Sequence, residues 1–172
     1  AILNKAVEWD VIPRNPIKGK VKPPKNLNSK PPRFYSRDEL AKIFDAPKVG
    51  IRKDGVEFPR ATYPDHWRLF ANTGLRRAEL FLIDKNRDIG KDEMRILSHD
   101  EGRTKSTKWR TIPLSDAAQD ALKRLARHDQ IAPPITPYSL SRAFQKDVEA
   151  VGLDGSLHCL RHTYCSHLVM AG

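Results

Sequence analysis

Thr73-Gly74-Leu75-Arg76-Arg77-Ala78-Glu79-Leu80 has the pattern of a turn that leads directly into a helix. Gly74 permits a sharp bend. Arg76 follows where the first backbone N–H groups of a helix lack partners and favour an anion. A planar guanidinium can bind two phosphate oxygens at once. Taken alone, the stretch indicates either a phosphate site or an arginine on an ordinary surface turn.

A second stretch, His158-Cys159-Leu160-Arg161-His162-Thr163-Tyr164, lies near the end of the sequence. His158 and Arg161 are three residues apart, so they share one face of the predicted helix. They lie at its N-terminal end, where the helix dipole is positive. An imidazole beside a phosphate-binding arginine suits proton transfer at phosphorus. This stretch therefore predicts a histidine and an arginine that act on the same phosphate.

A third stretch, Thr104-Lys105-Ser106-Thr107-Lys108-Trp109-Arg110-Thr111-Ile112-Pro113-Leu114, places a lysine at the tip of a predicted hairpin. The ammonium of Lys105 could reach a groove of DNA and donate a proton to a leaving oxygen. By itself the stretch also fits a solvated basic turn.

The pattern of the whole chain predicts a mainly helical fold with one small antiparallel sheet, an α+β class. Ser36 and Glu39 form a capping box, which predicts a helix start. The predicted strands contain Met94, Ile96 and residues 110–114. The remaining predicted helices cover 1–9, 65–71, 76–82, a segment capped at Ser115, 137–152, and 158 to the last residue.

Composition predicts a soluble globular protein with an anionic partner. Hydrophobic residues make up 39% of the 172 residues, and 31 basic against 21 acidic residues give a net charge of +10. Such a charge favours nucleic acid, although many basic surfaces bind nothing specific. Five prolines and five lysines crowd residues 16–32, which predicts a stiff basic linker. That linker either follows a phosphate backbone or is a solvated tether. The two cysteines, Cys159 and Cys165, fit a reducing cytoplasm better than a disulfide framework.

The three stretches together resemble the tyrosine recombinases, also called the phage integrases. The family's Thr-Gly-Leu-Arg motif with a following Glu is matched at Arg76 and Glu79, and its lysine motif at Lys105, with Ser106 in the third place. Its His-x-Leu-Arg-His-Thr motif is matched from His158 to Thr163. The order and the separations agree, and the resemblance covers about residues 33–172.

The resemblance implies a tyrosine-recombinase catalytic fold and a transesterification on double-stranded DNA without metal, ATP or other cofactor. A tyrosine would attack the scissile phosphate to form a 3′-phosphotyrosyl link. Arg76 and Arg161 would hold the non-bridging oxygens, Lys105 would protonate the leaving 5′ oxygen, and His158 would act as base or relay. Glu79 would orient Arg76 or cap local structure rather than take part in the chemistry. The predicted DNA contacts are Lys18, Lys20, Lys22, Lys25, Arg77, Lys108 and Arg110.

The resemblance also implies a domain organisation. Residues 1–12 would end a preceding core-binding domain, residues 13–32 would be the linker, and residues 33–172 would be a catalytic domain incomplete at its C-terminus. The expected nucleophilic tyrosine and a third histidine or tryptophan do not occur at matching positions. Tyr164 is expected to pack into the core rather than attack DNA. The 172 residues are therefore expected to cleave nothing by themselves.

Several expectations concern partners and alternatives. The full-length protein would form a homotetramer on paired sites, and these residues alone would be a monomer. The protein would be bacterial or phage-encoded and would act on the chromosome in the cytoplasm, without membrane contact. A different reading is a non-catalytic DNA-binding remnant of an integrase, and another is a basic helical module that binds RNA or protein. A zinc site at His158 and His162, with the cysteines nearby, lacks a third ligand on the same face.

Overall fold

The computed structural model describes residues 2–16, 32–51, 54–96 and 109–171. The chain divides into two compact units, Ala1–Pro31 and Pro32–Gly172. Six residues with predicted roles lie outside the described residues: Lys18, Lys20, Lys22, Lys25, Lys105 and Lys108.

The first unit contains helix α1, Ile2–Glu8. An exposed ion pair joins Lys5 to Glu8 (2.7 Å). After the helix, Asn15 Nδ2 donates a hydrogen bond to Asn4 Oδ1 (2.6 Å), so the chain that follows folds back along the helix. The predicted helix over residues 1–9 is thus found, one residue shorter at its C-terminal end.

The second unit is mainly helical, as the hydrophobic pattern predicted. Its elements in chain order are α2 (Arg37–Phe44), β1 (Val49–Ile51), β2 (Glu57–Pro59), α3 (Pro64–Thr73), α4 (Arg77–Leu80), β3 (Glu93–Ile96), β4 (Arg110–Pro113), α5 (Asp116–Leu125), α6 (Pro137–Ala150) and α7 (Leu157–Ala171). The capping box that begins α2 is present: Ser36 Oγ accepts from the Glu39 N–H, and Glu39 Oε2 accepts from the Ser36 N–H. Helices α5 and α6 are capped more simply: the side chain of Ser115 accepts from the Ala118 N–H, and that of Thr136 from the Ser139 N–H.

Helix α3 is the centre of the core. It packs against α2, α5 and α7, and Trp67, Leu69 and Phe70 on it are almost completely buried. The Trp67 ring meets Phe144 of α6 edge to face, with 5.1 Å between ring centroids. An apolar side chain of this size contributes about 1.5–3 kcal/mol when it is fully buried. Because α3 runs directly into the turn at Gly74, this packing fixes the position of that turn.

The structure has two small antiparallel sheets where the sequence predicted one. The predicted pair is present, with Met94 opposite Ile112 and Ile96 opposite Arg110. The additional hairpin pairs Val49 with Pro59 and Ile51 with Glu57. Its strands are three residues long, too short for an alternating pattern to be recognised. Gly50 allows the Phe58 ring to lie across the hairpin, since a Cβ there would be 2.5 Å from the ring.

Helix α4 is shorter than predicted: four residues instead of the seven from Arg76 to Leu82. The N–H groups of Phe81 and Leu82 donate to the carbonyl groups three residues earlier, those of Ala78 and Glu79. That bonding pattern tightens the last turn and ends the helix. Arg76 is consequently the N-cap residue, with extended backbone, rather than the first helical residue.

Candidate active site

The fold brings three separated stretches of the chain together beside the turn at Gly74. Arg76 follows that turn, Arg110 begins β4, and Arg161 lies in the first half of α7. Arg161 Nη1 donates a hydrogen bond to the carbonyl oxygen of Gly74. This bond connects α7 directly to the turn that carries Arg76, so two residues that the sequence separates widely occupy one site.

The turn itself depends on Gly74. Its backbone is left-handed (φ 60°), and its N–H donates to Phe70 O (3.0 Å) to close α3. A Cβ at this position would lie 2.5 Å from Cδ1 of Tyr164. Gly74 is therefore required both for the backbone conformation and for the close approach of α7. The Tyr164 ring packs on this turn, although it is half-buried rather than in the core as expected.

Glu79 is the buried carboxylate of the site, with 1% of its surface exposed. Oε2 accepts hydrogen bonds from the Arg76 N–H (2.7 Å) and Arg110 Nη2 (2.6 Å). Oε1 accepts from Arg76 Nη1 (2.9 Å) and Arg110 Nη1 (2.8 Å). Four donors thus surround one carboxylate, which fixes both the backbone and the side chain of Arg76.

Burial alone would raise the pKa of Glu79, but the hydrogen bonds from Arg110 and Arg76 outweigh it and the pKa lies below its ordinary value. Glu79 therefore stays ionised through the neutral range. With a lowered pKa, its contribution to stability is present above the unfolded-state pKa and is lost as the pH falls through the folded-state pKa.

The site carries more positive than negative charge. Burial lowers the pKa of Arg161, and the neighbouring charges of Arg76 and Arg110 lower it further, while Glu79 opposes them. Three guanidinium charges against one carboxylate leave a net charge of +2 in this group of four. Side chains with an excess of like charge attract a counter-ion of opposite sign. The arrangement therefore favours an anion near Arg76 and Arg161.

His158 and His162 form an imidazole pair at the start of α7. Their ring centroids are 4.8 Å apart and the rings are almost perpendicular (89°). Loss of water around the ring lowers the pKa of His158, and the nearby His162, Arg161 and Arg76 add to the effect. His158 is therefore neutral at physiological pH, which is the form that can accept a proton.

Replacing His162 with glutamine should raise the pKa of His158, because one of the neighbouring groups that disfavour its cation is removed. The C2–H chemical shift of His158, followed by NMR across a pH titration, measures the effect. The same change at His128, an exposed residue after α5, is the matched control and should leave the His158 titration unchanged. An unaltered His158 curve in the His162→Gln variant would contradict the pairing.

Thr163 and Arg77 make further contacts around the site. The buried Thr163 Oγ1 donates to Cys159 O (2.8 Å) and accepts from the Tyr35 N–H (2.9 Å). The second bond attaches the first residues of the second unit to α7. Arg77 is exposed and donates to Ser141 Oγ (3.0 Å) on α6. Its predicted role in DNA binding stays a prediction.

The Phage integrase family model matches residues 34–172. The chain belongs to the phage integrase family. The match covers all described elements that carry the site, from α2 to α7, and excludes the first unit. No curated protein matches the chain.

Solved structures of integrases share the fold of this phage integrase family member. The Tn1549 transposon integrase, in complex with circular intermediate DNA, is 18% identical with a TM-score of 0.61 and is matched over 98% of this chain and 62% of its own. The integrase from mycobacterium phage Brujita is 20% identical, with a TM-score of 0.62 over 99% of this chain and 55% of its own. A lambda integrase dimer bound to a COC′ core site is 20% identical, with a TM-score of 0.61 over 95% of this chain and 60% of its own. The chain therefore spans less than two thirds of the length of these relatives.

The described residues of this phage integrase family member contain neither a metal-binding cluster nor a membrane-spanning helix. No three of its described histidine, cysteine, aspartate and glutamate side chains lie close enough together to hold a metal ion. None of the helices within those residues has the length and apolar character needed to cross a membrane.

The sequence pattern overlooked one partnership in the site. The guanidinium of Arg110, a predicted DNA contact, is paired with Glu79, and its contact with DNA stays a prediction. A signal was available: Arg110 and Ile112 alternate with exposed residues along β4, so they share the face that points toward the core.

Proposed function

We propose that residues 33–172 are most of the catalytic domain of a site-specific DNA recombinase, which cleaves and rejoins double-stranded DNA through a 3′-phosphotyrosyl intermediate. The observation that supports this proposal most directly is the hydrogen bond from Arg161 to Gly74 O, which connects α7 to the turn before Arg76. Family membership and DNA complexes of relatives with the same fold support the choice of DNA as substrate.

The proposed roles follow the chemistry of each side chain. Arg76 and Arg161 bind the non-bridging oxygens of the scissile phosphate and stabilise the negative charge of the transition state. Neutral His158 receives a proton from the attacking hydroxyl or relays it. Lys105, outside the described residues, donates a proton to the leaving 5′ oxygen. The energy of the broken phosphodiester bond is kept in the phosphotyrosyl ester, so the reaction needs no nucleotide cofactor. It also uses no metal ion.

None of the four tyrosines of the chain is assigned as the nucleophile. Tyr35 is completely buried, and Tyr164 packs against Gly74. Tyr63 stacks edge to face on Trp67, and Tyr138 is an exposed residue in the first turn of α6. We assign the attacking tyrosine to a residue of the full-length protein beyond these four.

The proposed organisation matches this function. Residues 1–12 end a core-binding domain, residues 13–32 form a basic linker along the DNA backbone, and residues 33–172 form most of the catalytic domain. In the cytoplasm, four copies of the full-length protein would assemble on paired DNA sites, whereas the 172 residues alone would be a monomer.

The decisive experiment uses the protein expressed from its complete open reading frame. Its binding sites are first selected from a random duplex pool, and a selected site is then nicked so that strand loss traps the intermediate. We expect a denaturation-resistant protein–DNA adduct in the presence of EDTA. DNA binding without any adduct would instead favour a non-catalytic remnant, and an adduct that requires a divalent metal would contradict the proposed mechanism.

DNA binding by the 172-residue chain should weaken steeply with salt. If six or more phosphates are neutralised, affinity should fall about 1,000-fold between about 50 and 200 mM salt, because each contact releases counter-ions. Fluorescence anisotropy with a labelled duplex measures the slope. Changing Lys18, Lys20, Lys22 and Lys25 to glutamine should make it shallower by about 0.9 per lysine that contacts a phosphate. If these changes leave the salt dependence of binding unaltered, the linker is not part of the DNA interface. The control is Lys123→Gln, which removes an exposed lysine paired with Asp120.

A further inference from the structure

Arg110 forms the closest side-chain pairing in the candidate site. Its two terminal nitrogens donate side by side to the two oxygens of Glu79, at 2.8 Å and 2.6 Å. Such a bidentate pair holds both partners in one geometry. The Glu79 hydrogen bonds raise the pKa of Arg110, which keeps it fully charged. The guanidinium face that pairs with Glu79 is therefore committed to a protein carboxylate.

Glu79 must serve two arginines at once. It also binds the N–H and Nη1 of Arg76, and these contacts hold that side chain at the end of the turn. A single buried carboxylate paired with Arg76 alone would cancel most of the charge that Arg76 could offer to a ligand. The second arginine changes that balance, since it contributes a positive charge to the same carboxylate.

We propose that Arg110 is a positioning residue that neutralises Glu79, so that Glu79 can hold Arg76 while the charges of Arg76 and Arg161 stay available to the scissile phosphate. The inference rests on the proposed function, in which these two arginines bind that phosphate. It assigns Arg110 to the support of the site rather than to direct contact with DNA.

The proposal can be expressed as the net charge of Glu79 and the three arginines around it. Arg76 faces it from the turn before α4, Arg110 from β4, and Arg161 acts on it from α7. With all four groups the net charge is +2, and without Arg110 it is +1. Without both Arg110 and the Glu79 charge it is again +2. Neutralisation therefore predicts that the second substitution repairs the first.

The test uses the 172-residue chain and diethyl phosphate, a phosphodiester monoanion. Binding is followed through the NMR signals of the arginine side chains. Arg110→Met should weaken binding about tenfold, the effect of one lost charge near an anion at an effective dielectric of about 20. The double variant Glu79→Gln/Arg110→Met should bind within about threefold of the wild type, because the net charge is restored. Arg110→Lys, which keeps the charge, should bind more tightly than Arg110→Met.

The carboxyl carbon shift of Glu79 gives an independent readout. Its pKa should rise in Arg110→Met, because the strongest hydrogen-bond donor to the carboxylate is lost. Arg95→Met on the neighbouring strand β3 removes an exposed arginine paired with Glu93 and is the matched control, expected to change neither binding nor this pKa. Circular dichroism confirms that each variant is folded.

The outcomes separate the two proposals. If the double variant binds diethyl phosphate as weakly as Arg110→Met, or more weakly, the role of Arg110 is purely structural. That result overturns the proposal that Arg110 neutralises Glu79. If Arg110→Met fails to fold, the double variant carries the test against the wild type, and a tenfold loss there overturns the proposal. If Arg161→Ala abolishes binding while Arg110→Met binds normally, Arg110 has no positioning role and the phosphate site stands. If the wild type shows no response at Arg76 and Arg161, the phosphate site fails, and the role of Arg110 with it.

Discussion

Arg161→Ala should abolish covalent adduct formation by the full-length protein, with a rate at least about 1,000-fold below that of the wild type. Two effects add. The guanidinium no longer stabilises the charge that develops on the phosphate oxygens, and the hydrogen bond from α7 to Gly74 O is lost. Single-turnover kinetics on a nicked site, at saturating protein, measure the chemical step without the contribution of DNA affinity.

Two further variants make the Arg161 result specific. Arg161→Lys keeps the charge but not the two-pronged geometry and should recover only part of the rate. Arg127→Ala removes an exposed arginine after α5 and should leave the rate unchanged. Adduct formation at a normal rate by Arg161→Ala would eliminate the proposed phosphate clamp, provided that its thermal unfolding matches that of the wild type.

Arg60→Met should destabilise the second unit by about 3–5 kcal/mol, because it leaves the buried Asp147 without its counter-ion. Asp147 is completely buried in α6, and the Arg60 side chain is only 8% exposed. Nη1 of Arg60 lies 2.5 Å from Asp147 Oδ1, and Trp67 Nε1 donates to Oδ2 (2.6 Å). Burial raises the pKa of Asp147 despite these two partners, which indicates how costly its charge is in this position. Urea unfolding, followed by tryptophan fluorescence, measures the loss.

A double variant separates the cost of a stranded charge from the loss of packing. Arg60→Met/Asp147→Asn removes both charges but keeps an acceptor for the Trp67 N–H, so it should be more stable than Arg60→Met alone. Arg95→Met breaks an exposed pair and should cost less than about 1 kcal/mol. If Arg60→Met costs no more than that control, the buried pair does not stabilise the fold.

The pH dependence of the Arg60→Met variant gives a second check with a defined sign. The folded-state pKa of Asp147 is raised above its unfolded value, so the folded state binds the proton more tightly. Stability should therefore rise as the pH falls through that raised pKa toward the unfolded-state value, opposite to the loss expected from Glu79.

The sequence by itself determined the local features of this protein. Capping residues such as Ser36 and Ser115 are recognisable because each satisfies N–H groups only three residues away. The helical hydrophobic patterns gave the main elements, and Gly74 marked the turn. The three motif stretches led to the phage integrase family, which the family match confirmed. The roles of individual site residues, Lys105 among them, stay predictions.

Only the tertiary structure decided which of these features meet. The pairing of Arg110 with Glu79 joins residues 31 positions apart, and the bond from Arg161 to Gly74 joins residues 87 apart. The buried Arg60–Asp147 pair likewise left no local pattern. The physical reason is the same in each case: tertiary packing places together polar and charged groups whose sequence spacing carries no information about their distance.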